Sequence, residues 1–235
     1  MGKRFKNKLC VYCTRNAAEG VDHVLCRKFV LEEQRRGLPE VPACNACNGD
    51  KAQLEHYLTA VLPTGIPADD LAMRHIPFVQ RRLAKNQKLW RELDAQTMKV
   101  PRLGAFGTVH LEDALLLNGS TLLNLYRYMV RGLTWHHWKC LIPSDASSTG
   151  YFCNRSPDPA FTKLLELPGQ YKVSNTLADG ALAYEGVMVD DNPAFGAWRF
   201  SLLYGATMRG ESGSPEDEAT HAMVIVVSAD HRQIA

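Results

Sequence analysis

The sequence predicts an α+β protein with a small cysteine-stapled unit first, a basic helical connector next, and a mixed α/β domain with an antiparallel sheet last. Three observations predict it. Two Cys-x2-Cys pairs, Cys10/Cys13 and Cys44/Cys47, stand within the first fifty residues. Apolar residues recur near helical spacing from Leu71 to Met98 and from Thr121 to His137. Runs rich in Val, Tyr, Phe and Leu, bounded by Gly, Asp and Pro, follow toward the C-terminus. The expected divisions are residues 1–60, 61–100 and 101–235.

In the first division each Cys-x2-Cys turn presents two thiolates to one ion. Two such turns suit a tetrahedral zinc site made by Cys10, Cys13, Cys44 and Cys47. Four thiolates leave no open position, so the zinc is expected to be structural, stapling a unit too small to hold by burial alone. The chemistry must come from other residues.

Between the pairs lies Val21-Asp22-His23-Val24. In an extended segment Asp22 and His23 point to opposite faces and serve different partners, one a metal ion and the other a water. After the second pair, Asn48 opens a helix-like run through Leu54-Glu55-His56-Tyr57-Leu58. An oxygen from Asn48 completes, with Asp22, a hard site for a catalytic divalent ion, Mg²⁺ or Mn²⁺. His56 is expected at the surface or in packing, and Cys26 as a buried free thiol.

The connector opens on the breakers Leu62-Pro63-Thr64-Gly65-Ile66-Pro67. It continues as one or two basic amphipathic helices, with Ile76, Val79, Leu83, Leu89 and Leu93 on one side and a kink expected at Pro77. In the last division a helix is expected over Thr121–His137, where Leu122, Leu123, Leu125, Tyr126, Met129 and Val130 share a broad face. Strands are expected over Ala181–Val189, Trp198–Tyr204 and Ala222–Ser228, with Trp198 and Tyr204 in the sheet core and an exposed loop at Gly210–Glu218. Trp135-His136-His137-Trp138 reads as a core or interface anchor rather than a second metal site.

Composition sets the outer bounds. The chain has 235 residues, 46% of them apolar and 22% charged, and no run of about 20 apolar residues, which excludes a helical membrane span. Seven cysteines, an odd number, behind a basic N-terminus that does not lead into an apolar segment, make a poor disulfide framework and point to the cytoplasm. Residues 1–110 carry 18 Lys/Arg against 11 Asp/Glu, a balance of +7, and residues 111–235 carry 9 against 14, a balance of −5. A polyanion is drawn to the first half.

Together, Cys10-x2-Cys13, Val21-Asp22-His23-Val24, Val41-Pro42-Ala43-Cys44-x2-Cys47-Asn48 and Lys51 resemble the HNH endonuclease motif in its zinc-stapled form, a ββα-metal nuclease. The resemblance covers residues 9 to about 60. It implies that His23 is the general base for phosphodiester hydrolysis and that Asp22 and Asn48 hold the catalytic ion. The family's middle Asn has no counterpart, since Pro39 followed by Glu40 occupies its place. The expected partner is nucleic acid, DNA first, with Lys51, Arg27 and Lys28 among the phosphate contacts, joined by Arg15, Arg35, Arg36 and the basic helix. Such contacts position without reading bases. The last division is left for sensing a ligand, recruiting a partner protein or dimerising the nuclease. The alternative function is a catalytically inactive zinc-stapled module that binds nucleic acid or protein.

Overall fold

The first cysteine pair leads into β1 (Gly20–His23), which runs antiparallel to β2 (Glu40–Ala43), with Asp22 opposite Val41 and His23 opposite Glu40. The second pair straddles the start of α1 (Asn45–Val61). Glu19 anchors that start by accepting from the Asn45 backbone and side-chain amides at 2.9 and 3.0 Å, an anion where the helix dipole favours one. The computed structural model describes residues 3–5, 7–65, 70–103, 105–154, 159–166, 170–189, 192–209 and 218–227.

The connector forms two helices, α2 (Asp70–Lys85) and α3 (Gln87–Gln96). The break falls at Asn86 and not at Pro77, which stays inside α2. Asn86 ends one helix and caps the next, its Oδ1 accepting from the Leu89 N–H. The helical reading to Met98 overran. Thr97 and Met98 open β3 (Thr97–Leu103), which pairs with β4 (Val109–Leu115) in a two-stranded sheet. Leu89 and Leu93 of α3 meet Ala60 and Val61 at the end of α1 in a small satellite core.

The long helix α4 (Gly119–Trp138) contains the expected span, with Asn118 as its N-cap. It lies on a five-stranded antiparallel sheet assembled from β5 (Ser147–Cys153), β6 (Tyr171–Leu177), β7 (Leu182–Val189), β8 (Asn192–Ser201) and β11 (His221–Val227), in the order β5-β11-β8-β7-β6. The other elements of this region are the short helix α5 (Pro159–Glu166) and a two-residue pair, β9 (Met208–Arg209) with β10 (Glu218–Ala219). Strand alternation gives the sheet two apolar faces. Trp198, Phe200, Ala222, Val224 and Val226 join the α4 core, while Val187, Ala197 and Met223 pack with Phe161 of α5. Trp198 lies in the core as expected, but Tyr204's side chain and the loop at Gly210–Asp217 lie outside the described residues. β8 starts six residues earlier than expected, and a turn replaces its expected end at Leu203–Gly205.

One core crosses the divisions expected from the sequence. One buried cluster runs from Phe5, Cys10 and Val24 through Leu125, Met129 and Leu133 to Trp198 and Val226. α4 is the shared wall. Gly132 makes the approach possible, because a Cβ there would stand 2.7 Å from a Val24 methyl. Tyr128 meets Tyr12 edge-on at 5.0 Å and Trp135 meets Phe5 at 5.5 Å. No helix among the described residues is long and apolar enough to cross a membrane.

The His136-His137 dipeptide belongs to packing. His137 Nε2 lies 2.8 Å from the Tyr184 hydroxyl, and Trp138 packs on Trp198. Burial, with His136 and Lys139 nearby, lowers the His137 pKa to about 4. The unfolded chain therefore takes up this proton first, near pH 6.5, and stability falls as pH drops from there toward 4. A series of melting curves from pH 7 to 4.5 is expected to show that decline, and His137→Gln to flatten it. An equally steep decline in the variant would remove His137 as its source.

Candidate metal centre and the acid–base face beside it

The four cysteines Cys10, Cys13, Cys44 and Cys47 bring their sulfurs within 4.8 Å of one another. Four sulfurs about 2.3 Å from one tetrahedral ion stand about 3.8 Å apart, and Cys13 and Cys44 are already at 3.9 Å. The cluster is therefore able to hold a metal ion such as zinc. Its geometry is local. Thr14, at φ 53°, turns the first knuckle back so that its N–H donates to the Cys10 carbonyl, and β2 delivers Cys44 to the start of α1.

The thiols are solvated by the chain itself. Burial alone would raise Cys13, but N–H donors from Asn16 and Arg15 overrule it and bring the pKa down to about 7. Burial dominates at Cys10 and Cys47 and pushes both upward. The Asn16 side-chain amide donates toward Cys44 Sγ at 3.8 Å. An ion would displace the remaining thiol protons. None of the seven cysteines is in a disulfide. Cys26 is the buried thiol expected, its pKa raised to about 11 by burial and by Glu55.

Next to the cluster a buried charge network ties β1 to α1. Lys51 is 0% exposed. Its Nζ sits 3.0 Å from Asp22 Oδ2, donates to the His23 carbonyl at 2.8 Å, and pairs with Glu55 one turn later on α1. Desolvation would lower the Lys51 pKa, but the Asp22 and Glu55 carboxylates outweigh it and raise it. The Tyr12 hydroxyl donates to the same Asp22 Oδ2 at 2.5 Å, and burial together with that carboxylate keeps it protonated. Asp22 Oδ1 takes no protein donor among the described residues.

His23 presents its ring on the opposite side of β1, as expected of neighbours in a strand. Its Nε2 lies 3.5 Å from Glu40 Oε1, directly across the hairpin. The side chain is about a quarter exposed. Asn48 is exposed on α1, one turn before Lys51, so a single helix carries the amide and the ammonium that anchors the strand.

Compared with family models, curated proteins and solved structures, the chain matches none. The site therefore rests on its own geometry. Arg27 and Lys28 are exposed in the stretch that joins β1 to β2. Lys51 is not a surface cation. Its amine is spent on three protein oxygens, so it is a strut between strand and helix and does not face a phosphate. His56 is exposed.

Two residues escaped the sequence reading. Glu40 appeared only as the residue beside a missing Asn, and Tyr12 only as filler between cysteines. The sequence carried one usable signal for the network: Lys51 and Glu55 at i and i+4 on a helix. A cleft of about 570 Å³ also opens between α1 and α4, bordered by Cys13, Cys47, Asp50, Arg127, Tyr128 and Arg131.

Proposed function

We propose that this protein is a metal-dependent endonuclease that hydrolyses nucleic-acid phosphodiester bonds, DNA first, with His23 as general base. The observation that carries the reading is the joint anchoring by Lys51 of the Asp22 carboxylate and the His23 carbonyl, from the helix that also bears Asn48. A strand with an acid on one face and an imidazole on the other, next to a helix that bears an amide, supports an HNH-type reading.

His23 is the residue that moves the proton. With Nε2 turned to Glu40, that nitrogen is assigned the hydrogen, leaving Nδ1 as the acceptor for a proton from the attacking water. Glu40 then supplies the orientation that the family's middle Asn gives elsewhere. Asp22 Oδ1 and Asn48 suit a hard divalent ion, which when bound would offset charge developing on the scissile phosphate. Arg27 and Lys28 hold the backbone without reading sequence.

Plasmid nicking with Mg²⁺ or Mn²⁺ tests the proposal. His23→Ala is expected to slow cleavage by about 10²- to 10⁴-fold. Glu40→Gln is expected to slow it less, both variants remaining folded. Unchanged nicking by His23→Ala would remove the base. The second reading, a silent binding module, is favoured by Asp22 Oδ2 already being held by Tyr12 and Lys51. Wild-type protein that binds nucleic acid yet never cuts it would establish that reading instead.

A further inference from the structure

Two segments far apart in sequence bring positive charge to one place. Arg4 and Lys8 come from the N-terminal segment, and His136 and Lys139 from the C-terminal end of α4. Lys8 Nζ and Lys139 Nζ lie 5.3 and 4.5 Å from the Trp135 ring centroid, and the Arg4 guanidinium lies 5.2 Å from that of Phe5, which itself packs on Trp135. Arg4, Lys8 and Lys139 are exposed. Among the described residues the one acid in ion-pair reach is Glu40, 2.6 Å from Arg4. Its other oxygen is the one beside His23 Nε2. The cationic cluster and the imidazole are thus neighbours through a single carboxylate.

We propose that Arg4, Lys8, His136 and Lys139 form a phosphate-backbone contact surface for duplex DNA that leads into the His23 face. The choice of duplex DNA and the site of cutting rest on the nuclease reading; the cationic grouping does not.

Fold stability explains only part of the cluster. Lys139 donates to the His136 carbonyl at 2.7 Å, which closes the helix end and satisfies its dipole. That accounts for one cation, not for Arg4 and Lys8 against it. The grouping is costly. Burial, then Lys8 and Arg4, lower the Lys139 pKa, and burial, then Lys139 and Arg4, lower that of His136. Lys139 also occupies a left-handed position, φ 58°, where glycine is the usual residue. Like charges held together at a strained residue suit a polyanion that binds across all of them. Duplex DNA is favoured among polyanions because the cluster adjoins His23.

Fluorescence anisotropy with a labelled 30-bp duplex, without added magnesium or manganese, tests this in the full chain. Lys8→Gln/Lys139→Gln is expected to weaken binding at least about tenfold at 0.1 M salt. It is also expected to reduce the slope of log affinity against log salt by about 1.8, at roughly 0.9 per phosphate contact. Lys8→Arg/Lys139→Arg should restore both. Lys163→Gln/Lys172→Gln, exposed on α5 and β6, should change neither. Arg4→Gln/Lys8→Gln gives the same readout without touching the helix end. Unchanged affinity and slope in Lys8→Gln/Lys139→Gln or in Arg4→Gln/Lys8→Gln would overturn the proposal, as would wild-type protein that does not bind the duplex. Displacement of the DNA by poly-glutamate at equal charge would overturn its assignment to nucleic acid. Loss of plasmid nicking in His23→Ala tests the nuclease reading and loss of duplex binding in Lys8→Gln/Lys139→Gln tests the contact surface, so the two failures are distinguishable.

Discussion

Cys44→Ser is expected to abolish tight zinc binding and to unfold the hairpin together with the start of α1. Cys44 is 1% exposed and is the residue at which β2 becomes α1, so its sulfur would tie a bound ion to both elements at once. Structural zinc contributes an apparent 10–16 kcal/mol in small zinc units at neutral pH. That equals the whole stability of a typical domain, about 5–15 kcal/mol. The damage would not stay local, because Val24, Tyr12 and Phe5 form part of the wall on which α4 packs. Zinc content after gel filtration and melting followed by circular dichroism are the measurements. Cys140→Ser, whose sulfur only donates to the Trp138 carbonyl, is the neutral control. Full zinc in Cys44→Ser would mean that the sulfur cluster is not the metal site.

What could be read from the sequence follows the range of the interactions involved. The cysteine pairs are visible because ligation fixes spacing within four residues. α4 is visible because its apolar face repeats over five turns, and β7, β8 and β11 because central strands with two buried faces must be apolar. The edge strands β5 and β6, Ser147–Cys153 and Tyr171–Leu177, are polar on their open sides and look like loops. β3 hides behind Pro101 and behind Lys99 and Arg102, whose i, i+3 spacing reads as an extension of the basic helix before it. In the candidate site, Asp22 and His23 stand out because they are adjacent. Glu40 reaches His23 only through hairpin register across sixteen intervening residues, and register is a tertiary fact. Lys51 was misread for the same reason. A lysine next to a cysteine knuckle looks solvated until the strand carrying Asp22 closes over it.

That closure makes Lys51→Met the second large effect. Removing the amine leaves Asp22 and Glu55 buried, each side chain 12% exposed, without their shared cation. Breaking a buried pair from one side costs about 3–5 kcal/mol, most of it the desolvation of the carboxylate left behind. Urea titration at pH 7 is expected to show a loss of that size. Adding Asp22→Asn and Glu55→Gln should recover part of it, since neutral amides are cheaper to bury than orphaned carboxylates. The pH dependence has a definite sign. The Lys51 pKa is raised in the folded state, so its contribution is complete below the unfolded value of about 10.4 and is lost as pH climbs through the folded value. The wild type should thus lose stability at alkaline pH by a step that Lys51→Met lacks. Because the amine faces no solvent, the same variant should leave the salt dependence of DNA binding unchanged where protein remains folded, whereas Lys8→Gln/Lys139→Gln should not. A loss below about 0.5 kcal/mol, or a reduced salt slope, would mean that Lys51 is a surface cation after all and that the strand is not locked to the helix through it.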